Sequence, residues 1–243
     1  MAYQNVFRRY EIKYLLTVEQ KARLLAAMAP YMALDQYGRT TIRNVYFDTE
    51  NYRLIRHSLE RPAYKEKLRI RSYQRVDPET PVFVELKKKH QGVVYKRRIA
   101  LQEQQAVTWL AGGACPVDNQ IGHEIDYFLR YYGTLQPRVF LSYEREAYFC
   151  RDGGDFRIIF DDNILCRQTD LSLTEDVGGI PILPSGKVLM EIKTPGGIPL
   201  WLTQVLTRER IFKTSFSKYG TAYQTTIFKG GHTYAEHDLQ RPF

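Results

Sequence analysis

Cationic side chains recur at every second position in several segments of this chain. In residues 64–73 they are Lys65, Lys67, Arg69 and Arg71. Because successive side chains of a β-strand point to opposite faces, these cations would share one face of a strand. Guanidinium groups bind phosphate oxygens through paired hydrogen bonds, and ammonium groups bind them as point charges. The pattern therefore predicts a surface that binds a phosphate-rich anion.

Other segments repeat this alternation, with carboxylates among the cations. The charged positions that share a face within their own segment are Arg9, Glu11 and Lys13, then Glu85, Lys87 and Lys89, then Lys96 and Arg98, then Asp155, Arg157 and Asp161, and finally Lys187, Glu191 and Lys193. Arg145 is different, because the other residues on its side of the strand are apolar. An arginine in an apolar series is a candidate for an inward-pointing, functional residue.

If the strands closed with these faces inward, eight cations would converge around three carboxylates. The cations are Lys13, Arg69, Arg71, Lys87, Lys96, Arg145, Arg157 and Lys193, and the carboxylates are Glu11, Glu85 and Glu191. At ~6 Å and an effective dielectric constant of ~20, each like-charged pair costs roughly 3 kcal/mol, so such a lining requires a polyanion or many ordered waters and ions. The carboxylates would hold a divalent metal, Mg²⁺ or Mn²⁺, against phosphate oxygens.

Alternation alone does not decide which face of a strand points inward. The solvated outer face of an ordinary basic sheet satisfies the same pattern, because charged residues are usually exposed. Both interpretations stay open at this point.

The elements that would position these residues are mostly short strands joined by hairpins. Strands are predicted over 8–16, 39–48, 64–73, 82–89, 93–101, 138–150, 155–161 and 187–193, and helices over 17–30, 50–59, 103–111, 119–132 and 200–212. Thr17 and Gln20 have the spacing of a capping box, and Asp48 is expected to cap the helix that follows it. This order of elements predicts an α+β protein built on an antiparallel sheet, and a sheet of this size tends to close.

The composition predicts a folded, basic protein. The chain has 243 residues, 44% of them hydrophobic, and a formal net charge of +8, which favours an anionic partner. We expect a single domain over residues 1–230 with a loose tail over 231–243. Three well-separated cysteines suggest neither disulfides nor a zinc site, and the sequence has no predicted signal peptide or membrane segment, so a cytoplasmic location is expected.

A succession of short motifs resembles one known family. The motifs are RRYEIKYLL, NVYFDT, KLRIRSY, FVELKKK, VYKRRIAL, YEREAYF, FRIIFDD, VLMEIK and FSKYG, in order from about Arg8 to about Tyr223. They resemble the VTC domain, the polyphosphate polymerase domain of vacuolar transporter chaperone complexes, which also has bacterial members. This family belongs to the triphosphate tunnel metalloenzymes. The resemblance implies a closed antiparallel β-barrel of about eight strands with flanking helices, in which the charged faces line a basic tunnel.

The resemblance also implies roles for individual residues. The expected catalytic residues are Arg69, Arg71, Lys87, Arg145 and Arg157; the expected substrate-binding residues are Lys13, Lys96, Lys193 and Lys218, joined by Arg9; and the expected metal ligand is Glu191, with Glu11 and Glu85 as further candidates. Two positions depart from the family pattern. Ser215 stands where a relative has a lysine, although Lys213 is nearby, and Arg9 stands where tunnel triphosphatases have their first glutamate. The second departure removes a potential metal ligand and favours phosphoryl transfer over hydrolysis.

The implied activity is that of an ATP:polyphosphate phosphotransferase, which transfers the γ-phosphoryl group of a nucleoside triphosphate to inorganic polyphosphate with Mn²⁺ or Mg²⁺. Two alternatives stay open, a metal-dependent tunnel triphosphatase and a non-catalytic module that binds polyphosphate or inositol phosphates. Pyrophosphate is a further expected ligand, and a membrane protein is a conceivable partner. Nucleic acid is not expected, because the aromatic residues that could stack on bases fall on core-like faces.

Overall fold

The computed structural model of the chain describes residues 10–77, 79–91 and 93–228. They form two compact units, each assembled from separate stretches of the chain. The first unit contains Ile42–Ser142 and Leu165–Ile180, and the second contains residues 10–41, Tyr143–Ile164 and residues 181–228. Arg9 and the predicted tail over 231–243 lie outside the described residues.

Strands and helices alternate along the chain. The strands are β1 (Tyr10–Thr17), β2 (Met32–Asp48), β3 (Tyr64–Ser72), β4 (Pro81–His90), β5 (Val93–Gln102), β6 (Gln136–Cys150), β7 (Arg157–Arg167), β8 (Ile180–Pro181), β9 (Lys187–Thr194) and β10 (Lys213–Thr214). The helices are α1 (Val18–Met28), α2 (Arg53–Leu59), α3 (Glu103–Leu110), α4 (Gln120–Tyr132), α5 (Leu200–Arg208) and α6 (Lys218–Ala222), followed by a π-helical turn, Tyr223–Ile227. Within the described residues, no helix combines the length and the apolar character needed to cross a membrane.

In the first unit, the carboxyl-terminal part of β2 pairs with β3, β3 with β4, and β4 with β5, all antiparallel. The register places Val45 opposite Ile70, Ile70 opposite Val84, and Val84 opposite Ile99. These apolar residues form one face of the sheet and pack in a core with residues of α3 and α4, among them Trp109. The alternate residues of the same strands therefore form a second, polar face.

In the second unit, β1 lies between β10 and β9, and β9 pairs with β7. One face of these strands packs against α1 and α5 in a separate core, whose members include Tyr14, Leu16, Met190, Ile192, Phe160, Leu24, Met28 and Leu202. The alternate positions of β1 and β9 carry charged residues. Each unit thus has its own core and its own polar sheet face.

The predicted antiparallel α+β architecture is confirmed, and each of the eight predicted strands corresponds to an observed one. Closure into a barrel is not confirmed. In the described residues, the strand order of the sheet ends at β10 and at β5, and no pairing joins these two strands. β2 begins at Met32, well before the predicted residue 39. Asp35 and Gly38 are residue types that are rare in strands and common in turns, so the sequence pattern does not predict this part of the strand.

Helix α5 ends earlier than the prediction of residue 212. Arg210 adopts a left-handed backbone conformation with φ of 52°. Its amide donates to the carbonyl of Thr207, and the Ile211 amide donates to the carbonyl of Leu206. This pair of hydrogen bonds is the Schellman motif, which ends a helix with a left-handed residue.

The sequence correctly predicted the capping box of α1, whereas α2 begins at Arg53, later than the predicted residue 50, and has Tyr52 as its N-cap residue. Thr17 and Gln20 form the expected capping box at α1. The Asp48 carboxylate is fully buried and accepts hydrogen bonds from the amides of Leu54 and Ile55, at 2.9 Å and 3.0 Å. It also accepts from the amide of Thr49 at 2.8 Å. Asp48 therefore connects the end of β2 to the first turn of α2.

Replacing Asp48 should destabilise the fold. We expect Asp48→Ala to lower the free energy of unfolding by about 2–4 kcal/mol, because three backbone donors would lose a charged acceptor in a buried place. Urea denaturation monitored by circular dichroism measures this difference. Glu50→Ala, which truncates an exposed carboxylate nearby, is the control and should change stability by less than about 0.5 kcal/mol. Equal effects of the two substitutions would contradict the capping role.

Candidate functional site

The polar face of the first unit centres on Glu85, whose side chain is 1% exposed. In register, Glu85 lies opposite Arg69 on β3 and opposite Arg98 on β5. Leu68 and Leu86, the neighbours of these residues along the strands, point to the core. Alternation in three adjacent strands therefore brings charged side chains together on the face away from that core.

Four cations surround the Glu85 carboxylate. Oε2 accepts from Arg69 Nε at 2.9 Å and from Arg69 Nη2 at 2.7 Å. Oε1 accepts from Arg98 Nε at 2.8 Å and lies 2.6 Å from Lys96 Nζ. Arg71 Nη1 is 3.9 Å from Oε2. One carboxylate thus contacts four cationic side chains, and with Lys96 protonated the cluster has a formal excess of three positive charges.

Neutral side chains fix the orientation of two of these arginines. The Tyr46 hydroxyl accepts from Arg69 Nη1 at 2.8 Å. The Asn44 side-chain oxygen accepts from Arg71 Nε at 3.0 Å, and the Asn44 side-chain nitrogen donates to the Leu141 carbonyl. These partners satisfy some donors without neutralising the guanidinium groups. The arginines are therefore held in place and remain charged.

Aromatic rings hold the third arginine. Arg98 Nη2 donates to the Tyr73 hydroxyl at 2.7 Å, and the guanidinium carbon of Arg98 lies 4.3 Å from the centre of the Phe83 ring. A ring face attracts a cation through its quadrupole. Lys87 continues the same face along β4, because it lies opposite Lys67 and Lys96 in register.

The charges of the cluster shift the pKa values of its members. Burial of Glu85 would raise the pKa of its carboxyl, but the positive charges of Arg71, Arg69, Lys96 and Arg98 outweigh burial and hold that pKa well below its usual range. Burial of Lys96, with the charges of Arg71 and Arg98, lowers the pKa of Lys96 to about 7, although Glu85 acts in the opposite direction. Glu85 is therefore ionised at neutral pH, and Lys96 is close to its titration midpoint.

In the second unit, Asp161 is the buried carboxylate of the polar face. Arg145 donates to it through two hydrogen bonds, Nε to Oδ1 at 2.7 Å and Nη2 to Oδ2 at 2.8 Å. Lys218 donates to Oδ2, and its ammonium group lies 4.4 Å from the centre of the Tyr143 ring. The charges of Arg145 and Lys218 overcome the effect of burial and lower the pKa of Asp161 to about 2. Arg145, on an otherwise apolar face of β6, is thus paired with a buried carboxylate of β7.

Glu191 lies on the same polar face as these residues, opposite Lys13 and Ile159 in register. Its Oε1 is 3.3 Å from Lys193 Nζ, and its Oε2 is 3.9 Å from Lys13 Nζ. Lys13 also donates to the carbonyl of Phe216 at 2.7 Å. Two lysines therefore balance the Glu191 carboxylate.

Two further predicted residues flank this pair of lysines. Arg157 and Glu11 both lie opposite Lys193 in register, one from each neighbouring strand. The Arg157 guanidinium lies 4.5 Å from the centre of the Phe149 ring. Lys213 lies opposite Tyr14, a core residue, and so it does not share the face of Lys13.

The described residues contain no group of three or more histidine, cysteine or acidic side chains placed to hold a metal ion. A Mg²⁺ or Mn²⁺ ion that binds phosphate needs only one or two protein carboxylates, with the rest of its shell from water and substrate. Glu11 and Glu191 lie on the same face of the paired strands β1 and β9, and so they fit this requirement. Glu85 fits it less well, because arginines hydrogen-bond both of its oxygens at 2.7–2.9 Å, whereas the lysine nitrogens near Glu191 lie 3.3 Å and 3.9 Å from its oxygens.

Within each unit, the structure brings most predicted site residues onto the polar face. The first unit contains Arg69, Arg71, Lys87, Lys96 and Glu85, and the second contains Lys13, Arg145, Arg157, Lys193, Lys218, Glu11 and Glu191. Arg9 is outside the described residues. Sequence reasoning gave no role to Asn44, Tyr46 or Asp161. Their alternation with core residues in strands β2 and β7 was a usable signal for the face on which they lie.

The lowered pKa of Lys96 can be measured. We expect the Lys96 ammonium to titrate near pH 7 in the free protein, and tripolyphosphate to raise its pKa, because bound negative charge favours the protonated amine. The folded pKa lies below the unfolded value of ~10.4, so the unfolded state binds more protons between pH 7 and 10 and stability should rise with pH in that window. NMR of labelled lysine side chains follows the titration.

Lys96→Arg provides the control for this titration, since the signal that disappears in this variant belongs to Lys96. A Lys96 signal that titrates above pH 10 in the free protein would contradict the lowered pKa of Lys96.

Comparison with known proteins was made on both sequence and fold. A sequence model of the VTC domain family matches residues 8–227 of the chain. None of the curated proteins matches it in sequence. A candidate adenylate cyclase from Bacillus halodurans superimposes with a TM-score of 0.55 at 17% identity, over 88% of this chain and 96% of that one. A candidate adenylyl cyclase from Hippeastrum, described as having a dominant triphosphatase activity, gives 0.51 at 16% identity, over 90% and 95%. These two likenesses concern the fold.

Proposed function

Because the chain belongs to the VTC domain family, we propose that it transfers the γ-phosphoryl group of ATP, or of another nucleoside triphosphate, to a growing inorganic polyphosphate chain. The closed β-barrel with a basic tunnel, which the family resemblance implies, is part of this proposal. The observation that carries the proposal is the excess of positive charge around Glu85, where four cations surround one buried carboxylate.

This charge excess is suited to a ligand with several phosphates. Burying like charges together is unfavourable unless an anion neutralises them, so the cluster gains stability when phosphate oxygens arrive. Arg69 and Arg71 supply planar guanidinium groups, whose shape and charge match phosphate oxygens, and Lys87 and Lys96 can act as point charges. The hydrogen bonds from Arg69 to Tyr46 and from Arg71 to Asn44 orient the guanidinium groups before substrate binds.

Phosphoryl transfer needs little beyond this arrangement. The acceptor, the end of a polyphosphate chain, is already an oxyanion, so no general base has to remove a proton. Catalysis then rests on positioning the two phosphates in line and stabilising the charge on the transferred group. In the second unit, Arg145 and Lys218 would serve this purpose, with Asp161 fixing both side chains.

A divalent metal, Mn²⁺ or Mg²⁺, is part of the proposed activity. We assign Glu191 as its ligand and Glu11 as a second candidate, because these carboxylates lie on one face of adjacent strands. The ion would neutralise charge on the phosphate oxygens when bound. Glu85 is assigned to holding the cations of the first unit, since both of its oxygens are already hydrogen-bonded there.

Metal-dependent hydrolysis of triphosphate is the second candidate function. The Hippeastrum protein, which shares the fold, is described as a triphosphatase. Hydrolysis and polymerisation would use the same cationic faces and differ in whether water or a phosphate chain accepts the phosphoryl group. The residues of the polar faces support triphosphate binding in both cases.

One experiment separates these functions. The protein is incubated with ATP and Mn²⁺, and the products are sized by polyacrylamide electrophoresis with phosphate staining. The proposal predicts chains that lengthen with time and disappear on treatment with an exopolyphosphatase. Release of free phosphate without chains would support the triphosphatase, and tight tripolyphosphate binding without turnover would support a binding module.

Arg69 should be essential for binding. We expect Arg69→Gln to weaken tripolyphosphate binding by at least tenfold in isothermal titration calorimetry, because a positively charged guanidinium group is lost. Three cations remain around Glu85, so its buried charge stays compensated and the fold should survive. Arg75→Gln, which alters an exposed arginine paired with Asp176, is the matched control. Equal affinities for the two variants would refute the role of Arg69.

Glu191 should be needed for turnover and not for binding. Glu191→Gln removes the charge of the proposed metal ligand and keeps its shape, so tripolyphosphate affinity should stay within about threefold while Mn²⁺-dependent ATP consumption falls by at least a hundredfold. Glu175→Gln, at an exposed position, is the control and should leave both quantities unchanged. If Glu191→Gln turned over at the rate of the unmodified protein, the metal assignment would be wrong.

A further inference from the structure

A cavity of about 630 Å³ lies in the first unit, away from the cationic face. Its lining includes Glu66 of β3 and Lys88 of β4, which lie opposite each other in register. These two residues alternate with Lys67 and Lys87, and so they lie on the other face of the sheet. Helices α2 and α4 supply the remaining walls. The cavity is therefore separate from the residues assigned to phosphoryl transfer.

The floor of the cavity is polar and rigid. Glu66 is 9% exposed and accepts hydrogen bonds from the hydroxyls of Tyr64 and Tyr132, the second at 2.9 Å. Burial, together with the negative charge of Glu66, raises the pKa of both tyrosines, so their hydroxyls stay protonated. The Tyr132 ring also packs against Phe128, with ring centres 4.8 Å apart. These contacts hold the aromatic floor in one arrangement.

Two exposed tyrosines form one wall. Tyr127 and Tyr131 are one helical turn apart on α4, and they are 65% and 60% exposed. Their rings are stacked, with centres 6.3 Å apart and planes 24° apart. Large exposed aromatic surfaces beside a cavity are typical of binding sites for planar ligands, because each ring offers a face for stacking.

Cations form another part of the lining. Arg53 and Arg56 are three residues apart on α2, so they project from the same side of that helix. Both are exposed, and Lys88 adds a third positive charge to the lining. Glu60, the residue that follows α2, and Glu66 of the floor are carboxylates of the same lining, and the Glu60 side chain is 72% exposed. This wall suits an anionic group, such as a phosphate.

The two walls together select a class of ligand. A cationic ligand in an aromatic cage is disfavoured, because the Arg53 guanidinium already lies 5.4 Å from the centre of the Tyr132 ring and three cations line the cavity. An inorganic phosphate would use the cations and leave the exposed tyrosines without a function. A ligand with both an aromatic ring and a phosphate uses both walls, and the volume is in the range of small-ligand sites.

We propose that this cavity binds a nucleotide, with the base stacked on Tyr131 and Tyr127 and the phosphate held by Arg53, Arg56 and Lys88. This site is distinct from the one proposed for phosphoryl transfer, and it does not depend on that function. A nucleoside monophosphate is enough to occupy it, since the cationic wall spans little more than one helical turn and one strand residue.

The test uses AMP, which has no triphosphate to occupy the other site. Calorimetry on the full chain should detect AMP binding at least tenfold tighter than binding of inorganic phosphate or of adenosine alone. Tyr131→Ala and Arg56→Ala should each weaken AMP binding at least tenfold, through lost stacking and a lost phosphate contact. Tyr37→Ala and Arg130→Ala alter exposed residues outside the cavity lining and should leave AMP affinity unchanged.

The same titrations in the Arg69→Gln background separate the two sites. AMP affinity that persists in Arg69→Gln and falls in Tyr131→Ala supports the nucleotide cavity. AMP affinity that is lost in Arg69→Gln and kept in Tyr131→Ala would place AMP on the cationic face and overturn the proposal. Equal affinity for AMP and inorganic phosphate, or no detectable binding of AMP, GMP, CMP and UMP, would also overturn it. Circular dichroism confirms that each variant is folded.

Discussion

The hydrogen-bonded contact between Glu85 and its surrounding arginines and lysine is the interaction on which the site of the first unit depends. Without a central carboxylate, Arg69, Arg71, Lys96 and Arg98 would repel each other in a partly buried place. With it, they converge and keep a net positive charge. Glu85 therefore stabilises the cluster and, as a single negative charge among four cationic side chains, leaves it able to bind an anion. The second unit follows the same design on a smaller scale, with Asp161 between Arg145 and Lys218.

This arrangement is possible because each sheet has two chemically different faces. In the first unit, Leu68, Ile70 and Val84 point into a core with fully buried aromatic residues, and the alternate positions carry the charges. The core fixes the strand register, since a slip by one residue would move charged side chains into it. The geometry of the charged face is thus maintained by hydrophobic packing on the opposite face. The proposed nucleotide cavity lies on that same side of the sheet, where the charged residues Glu66 and Lys88 take the place of apolar ones.

Sequence alternation correctly predicted which residues share a face, because the side-chain period of a strand is fixed by its backbone. Arg69, Glu85 and Lys96 were grouped on this basis, and they lie together in the structure. The partner of each charge could not be predicted, because it depends on register and rotamers. Arg145 was singled out, while its partner Asp161, on the neighbouring strand, was not. The metal ligands and the polymerase activity remain proposals. Alternation shows where a carboxylate lies, but not whether a metal ion or a lysine binds to it.

The position of β1 has a consequence for how the protein is made. This strand is synthesised before the other described strands, yet two strands that pair with it, β9 and β10, come near the end of the described residues. Until β9 and β10 have been synthesised, the amide and carbonyl groups of β1 lack these partner strands, and Tyr14 and Leu16 are uncovered. Such contacts between distant parts of a chain form slowly and leave nascent strands prone to aggregation. The core of the second unit is therefore completed only after β9 has been synthesised, and until then β1 would be a binding site for a ribosome-associated chaperone.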